Sequence, residues 1–208
     1  MWPFRRRKRF KDLPWSGEGA LSRRSYPDYA SYVAHQAAKL AVTKNIEGHE
    51  REFREVLRAR LPAVRGRALC LGARLGAEVR AFRDAGIPAV GIDLNPGPRN
   101  PDVLRGDFHR LPFRAGAFGA VYTNSLDHVL DLDRICGEAS RVLTAEGTFV
   151  VEAVEGADEG RGPGSYESFF WRRVDDLVDA IASLGWRAGP RVAFTRPWAG
   201  RQVLFSKA

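Results

Sequence analysis

Residues 68–76 read Ala68-Leu69-Cys70-Leu71-Gly72-Ala73-Arg74-Leu75-Gly76, four apolar residues followed by two glycines four positions apart. A short apolar run that ends on glycine reads as a buried strand turning sharply into a helix. Glycine permits the backbone angles of such a turn and lets a ligand approach the main chain. Ala77 to Ala85 reads as that helix, ended by Gly86, and Pro88 to Ile92 as a second strand closing on Asp93. Downstream, Asp102–Leu104 reads as a short third strand ending near Asp107, and Phe118–Tyr122 as a fourth. Leu130–Leu143 reads as a helix with Ile135, Ala139, Val142 and Leu143 inward, and Thr148–Glu152 as a fifth strand. Short apolar strands alternating with helices imply an α/β fold with a parallel sheet covered on both faces. A helix over Trp171–Leu184 precedes two closely spaced strands, Arg191–Thr195 and Gln202–Ser206, joined by a turn containing Pro197 and Gly200. That spacing predicts an antiparallel ending.

Upstream of the glycine turn the pattern is helical. Ser25-Tyr26-Pro27-Asp28 reads as a helix start, with a hydroxyl cap, proline in the first turn and a carboxylate near the N-terminal amides. Tyr29, Tyr32, Val33, Gln36, Ala37 and Leu40 then recur at helical spacing, and Glu47–Leu61 reads as a second helix. The expected organisation is a basic, flexible tail over 1–24, capping helices over 25–61 and one ligand-binding domain over 62–208. The net charge of +8 belongs largely to the tail, whose eight basic and two acidic residues supply six of those charges. Trp2, Phe4, Phe10 and Trp15 interleave its cations. Such a segment suits an anionic membrane surface or phosphates, or is a solvated terminus. No apolar run reaches the roughly 20 residues of a membrane span, and none follows the charged N-terminus as a secretory signal requires. A cytoplasmic protein is the expectation.

In open parallel sheets, ligands lie beyond the carboxyl ends of the strands. Three polar signals fall at that edge. Gly72 and Gly76 form the turn after the first strand. Asp93 closes the second strand about 20 residues later, where a carboxylate can accept both hydroxyls of a ribose. Gly106-Asp107-Phe108 follows the third strand, where an acid can accept from an adenine amine while an aromatic ring covers the base. Together they predict a nucleoside site.

Residues 67–152 resemble the class I S-adenosylmethionine-dependent methyltransferases, in particular the methyltransferase type 11 branch. The resemblance rests on Gly106 through Phe113, on Phe118 through Asn124, and on Arg141-Val142-Leu143 followed by Gly147. It implies a Rossmann-like three-layer sandwich with a seven-stranded sheet of order 3-2-1-4-5-7-6, strand seven antiparallel. It further implies S-adenosylmethionine as cofactor, with Gly72 and Gly76 under its methionine and ribose. Asp93 would meet the ribose, Asp107 the adenine amine, Phe108 the adenine ring, and Asn124 the methionyl part, with Leu94 a further cofactor contact and Arg74 either crowding the pocket or meeting the cofactor carboxylate. Four positions depart from the family: Cys70 replaces a usual Asp or Glu, Arg74 a glycine, Gly119 a common Asp, and Glu146 a second glycine.

His128 is the acid–base candidate, with Asn124 beside the transfer site. Tyr29, Tyr32 and Gln36 share a helix face able to cap the cofactor or acceptor. Tyr166, Phe169, Phe170 and Trp171 suit an apolar acceptor pocket or the packing of the helix after them. No His/Cys/Asp cluster stands at metal-ligand spacing. The expected activity is methyl transfer to a small molecule. The alternatives are an RNA methyltransferase anchored by the basic tail, and a cofactor-binding protein without catalysis, motivated by Cys70 and Arg74.

Overall fold

The computed structural model describes residues 10, 13–17, 19–42 and 46–208, with the backbone alone for 40–42. Most of the basic tail, including Trp2, Phe4 and Arg5 to Arg9, lies outside the described residues. In chain order the elements are β1 (Trp15–Ser16), β2 (Leu21–Arg24), α1 (Tyr29–Val42), α2 (Ile46–Arg60), β3 (Ala68–Leu71) and α3 (Ala77–Asp84). There follow β4 (Ala89–Asp93), β5 (Val103–Arg105), β6 (Phe118–Thr123), α4 (Leu132–Val142) and β7 (Leu143–Val154). The last are β8 (Phe169–Trp171), α5 (Val174–Ser183), β9 (Trp186–Phe194) and β10 (Gly200–Lys207).

Seven strands form the main sheet in the order β5-β4-β3-β6-β7-β10-β9. Numbered within the sheet this is 3-2-1-4-5-7-6, and β10 runs antiparallel to both neighbours while β3 to β7 are mutually parallel. All four residues of β3 are buried because the strand is covered on both faces. Its side chains alternate between two cores: Leu69 and Leu71 join the apolar residues of α4 and α5, while Ala68 and Cys70 join those of α2 and α3. The β3 to β4 register, Ala68 to Leu71 against Ala89 to Ile92, brings both strand ends and the loops after them to one edge.

Several boundaries differ from the sequence reading, each for a local reason. Asp28, not Ser25, caps α1, accepting the Ser31 N–H at 2.7 Å. Trp171 does not open the helix but joins Phe169 and Phe170 in β8, and all three are buried. β8 pairs with β2, and β2 with β1, in a separate three-stranded sheet. Part of the stretch read as a flexible tail is therefore paired strand. The departure at Gly119 has a steric cause: a Cβ there would stand 1.7 Å from the Arg65 carbonyl oxygen, so the chain entering β3 leaves no room for a side chain. Among the described residues no helix is long and apolar enough to cross a membrane.

Candidate functional site

The loops after β3, β4, β5 and β6 enclose a cavity at the carboxyl edge of the sheet. Gly72 and Arg74 line it from the first loop, Asp93, Leu94 and Asn95 from the second, Phe108 from the third, and Ser125 and His128 from the fourth. Tyr32, Gln36 and Lys39 of α1 form its roof. Gly76, Asp107 and Asn124, also expected at the site, are not among the residues that line it. The structure thus gathers Gly72, Arg74, Asp93, Leu94, Phe108 and His128 on one cavity.

Gly72 is required by contact as well as by conformation. Its φ is +70°, and a Cβ would sit 2.6 Å from the Ser125 Oγ. The first and fourth loops meet there. Gly76, at φ +88°, instead abuts the Asp102 and Val103 side chains on the far side of the turn. Arg74 also has positive φ, +41°, a conformation uncommon for a residue with a side chain. Its Nε lies 4.0 Å from Glu50 Oε1.

Asp93 holds the glycine loop in shape. One carboxylate oxygen accepts the Arg74 N–H at 2.9 Å and the other the Asn95 N–H at 2.7 Å. Each oxygen retains a further lone pair. Asp107 is more heavily used: its Oδ1 accepts from the His109 N–H and Nδ1, at 2.8 and 2.7 Å, and its Oδ2 from the Tyr29 hydroxyl at 2.6 Å. The His109 Nε2 faces the N–H groups of Leu130 and Asp131, both at 3.2 Å, and its Nδ1 donates to Asp107. His109 is therefore a buried strut. Burial pushes the Asp107 carboxyl up, but the bonds from His109 and Tyr29 outweigh it and bring it down to about 2.

His128 has neither ring nitrogen free. Nδ1 donates to the Tyr166 carbonyl at 3.0 Å, and Nε2 accepts from Lys39 Nζ at 2.6 Å. Burial first, and then the Lys39 ammonium, pull the imidazole down to about 3. The lone pair a general base would use is engaged by Lys39. Asp127, His128 and Glu167 could together offer one atom each to a metal ion. The His128 nitrogen in that cluster nearest Asp127, at 3.7 Å, is the one bonded to Lys39.

The aromatic cluster after β7 does not line the cavity. Tyr166 stacks on His35, with ring centroids 5.3 Å apart, while Phe169, Phe170 and Trp171 are core. The loop carrying Tyr166 is nevertheless pinned to the roof. Gln36 Nε2 donates to the Tyr166 carbonyl at 3.1 Å and to Ser168 Oγ at 2.8 Å, and His35 Nε2 donates to the Ser165 carbonyl at 2.8 Å.

Lys39, Ser125 and Asn95 were not anticipated. Lys39 was readable: it extends the Tyr29, Tyr32, Gln36 face by one more turn. Ser125 and Asn95 lie in loops whose path depends on tertiary contacts, and carried no such signal.

A carboxyl-edge cavity under a roof helix, on a sheet of this order, defines the class I methyltransferase fold. Residues 69–151 match the model of a family described as a methyltransferase domain. Among solved structures, the Burkholderia thailandensis 1,6-didemethyltoxoflavin-N1-methyltransferase superposes with a TM-score of 0.66 at 13% identity, over 92% of this chain and 97% of that one. The methyltransferase in complex with the Haloferax volcanii Trm112 activator gives 0.62 at 18% identity, over 88% and 99%. The glycopeptide N-methyltransferase MtfA gives 0.58 at 14% identity, over 77% and 94%. At these identities the likeness is one of fold. No curated protein matches the sequence.

Proposed function

We propose that the protein transfers the methyl group of S-adenosylmethionine to a small molecule. The observation that carries this reading is the convergence of Gly72, Asp93, Leu94 and Phe108 on one cavity at the carboxyl edge of the sheet. Two solved neighbours of the same fold are named for their action on 1,6-didemethyltoxoflavin and on a glycopeptide, and one of them was crystallised with S-adenosylmethionine.

The donor set fits such a cofactor. Asp93 keeps a lone pair on each oxygen for ribose hydroxyls while its other pairs hold the loop. Phe108, buried and on the cavity wall, offers an apolar face to the base. The space at Gly72, which a Cβ would fill, allows the main chain to meet the aminoacyl arm. Asp107 has one acceptor position left on Oδ2 beside the Tyr29 hydroxyl, so Tyr29 and the adenine amine share that oxygen. When bound, the cofactor supplies an activated methyl group on its sulfonium. The chain then aligns an acceptor in line with it and excludes water, roles that account for much of the rate in such displacements. His128 orients the Lys39 ammonium and leaves proton removal to solvent or to the acceptor's own acidity. Asn124 is held by Ser125, whose Oγ donates to its Oδ1 at 3.0 Å.

Calorimetric titration with S-adenosylmethionine and S-adenosylhomocysteine tests the proposal. Micromolar binding is expected, weakened at least about tenfold in Asp93→Ala, since hydrogen bonds to a charged group are worth about 1.5–3 kcal/mol each. A folded wild-type protein that binds neither molecule would overturn the reading in favour of a fold without cofactor. Binding followed by no transfer to small metabolites, and labelling of RNA from the same extract, would replace the acceptor class.

A further inference from the structure

Cys70 stands at the end of β3, fully buried, where the family commonly has an acid, and it faces the core shared by α2 and α3. An acid returns to this place from the helix. Glu78, in the first turn of α3, is 5% exposed. Its Oε1 accepts a long bond of 3.4 Å from the Asn124 amide, and its Oε2 has no partner among the described residues. Buried carboxylates are normally paired, so an orphaned oxygen here has a reason.

The neighbours explain why the chain itself does not pair it. Glu50 of α2 takes the available donors: the Ala77 N–H at 3.1 Å, Arg80 at 3.7 Å and Arg74 at 4.0 Å. Arg74 faces Glu78 from the glycine loop and Asp93 from the end of β4, and Cys70 lies beside it on β3. Beyond its own backbone N–H, Glu78 is thus left with Asn124, whose own Oδ1 is bonded to Ser125 on the cavity wall. Burial, and then repulsion from Glu50, push the Glu78 carboxyl up to about 8. The Arg74 guanidinium opposes this shift without cancelling it, and the group is an acid kept neutral.

We propose that Glu78 is the acidic partner of the cofactor's α-ammonium group, taking the place that Cys70 leaves empty of charge. The inference rests on the cofactor reading above and assigns a residue outside the motif to its recognition. Binding then converts a neutral carboxylic acid into a carboxylate paired with the ammonium. The carboxyl proton leaves to bulk solvent, and no other bond changes.

The test is calorimetry of S-adenosylmethionine and S-adenosylhomocysteine at pH 6.5, in buffers of differing ionisation enthalpy, on the wild type and Glu78→Gln. At this pH an α-amino group of ordinary pKa, about 7.7–8.0, is already protonated, so the ligand takes up little. The wild type is expected to release most of one proton with either ligand. Glu78→Gln is expected to release none and to bind both about tenfold more weakly, because both ligands carry the ammonium. Wild-type binding without proton release would overturn the assignment while leaving the cofactor reading intact. So would a loss confined to S-adenosylmethionine, which would point to the sulfonium. No binding by the wild type would overturn both. If the variant fails to fold, the absence of proton release by the wild type still overturns the assignment.

Discussion

At Asp107 three donors converge on one carboxylate, two from His109 and one from Tyr29. They hold the folded-state carboxyl at about 2, below the value of about 3.9 expected for an unfolded chain. A lowered folded-state value means that the stabilisation is complete above about pH 4 and is lost as the pH falls toward 2. Allowing for partial solvent screening, it is worth about 1–2 kcal/mol. Asp107→Asn, which keeps the shape and removes the charge, is therefore expected to be less stable than the wild type at pH 7 by about that amount. The two should converge near pH 2. Urea denaturation at both pH values measures this, and a gap that persists at low pH would mean that Asn disturbs packing instead. The same residue is a proposed adenine contact, so the loop is rigid before any ligand arrives. Preorganisation of this kind lowers the ordering cost of binding.

At the scale of elements, the loop over the site depends on a strand far from it in sequence. Arg24, at the end of β2, is 3% exposed, and its guanidinium lies over the Trp15 ring at 4.6 Å. It donates to the carbonyls of Phe10, Leu13, Gly164 and Glu167, at 2.9 to 3.4 Å. A lysine keeps the charge but cannot span four carbonyls with one ammonium. Arg24→Lys should cost about 2–3 kcal/mol through the acceptors left unpaired. It should also speed amide exchange over 164–171 while leaving β6 protected; equal protection of the two segments in the variant would sink the idea. This clasp also marks where sequence reading stops. The alternation of strands and helices and the cavity positions of Gly72, Asp93 and Phe108 were legible, because each depends on a local run of apolar residues and the turn after it; the strand order came only from the family resemblance. The β2–β8 pairing was not: it joins residues about 150 apart with no periodic cue, and Arg24 looked like one more cation of a basic tail. Glu78 was hidden for a related reason, since an acid in a first helical turn is the expected complement to the helix dipole. Only its burial shows otherwise.

At the scale of the whole molecule, the segment that matches the methyltransferase family supplies the floor of the site, and residues outside it supply the roof. Tyr32, Gln36 and Lys39 reach the cavity from α1. The helical cap is tied to the sheet by a polar network at the end of α2. Arg60 pairs with both oxygens of Glu152 on β7, at 2.6 and 2.7 Å, and donates to the Arg196 carbonyl at 2.6 Å. Tyr122 and Gln202 complete the carboxylate's coordination, at 3.0 and 2.9 Å. The Glu152 side chain is fully buried, so removing its cation leaves a charge with no access to water. Arg60→Met should accordingly cost about 3–5 kcal/mol, the range for a broken buried pair. Adding Glu152→Gln removes the stranded charge while keeping an acceptor for Tyr122 and Gln202. The double variant should therefore be about 2–3 kcal/mol more stable than Arg60→Met alone, although Glu152→Gln by itself destabilises. Chemical denaturation of the four proteins closes the cycle. If the two changes simply add, Arg60 contributes packing on Phe194, over whose ring it sits at 4.1 Å, and the cap is held by contact instead of charge.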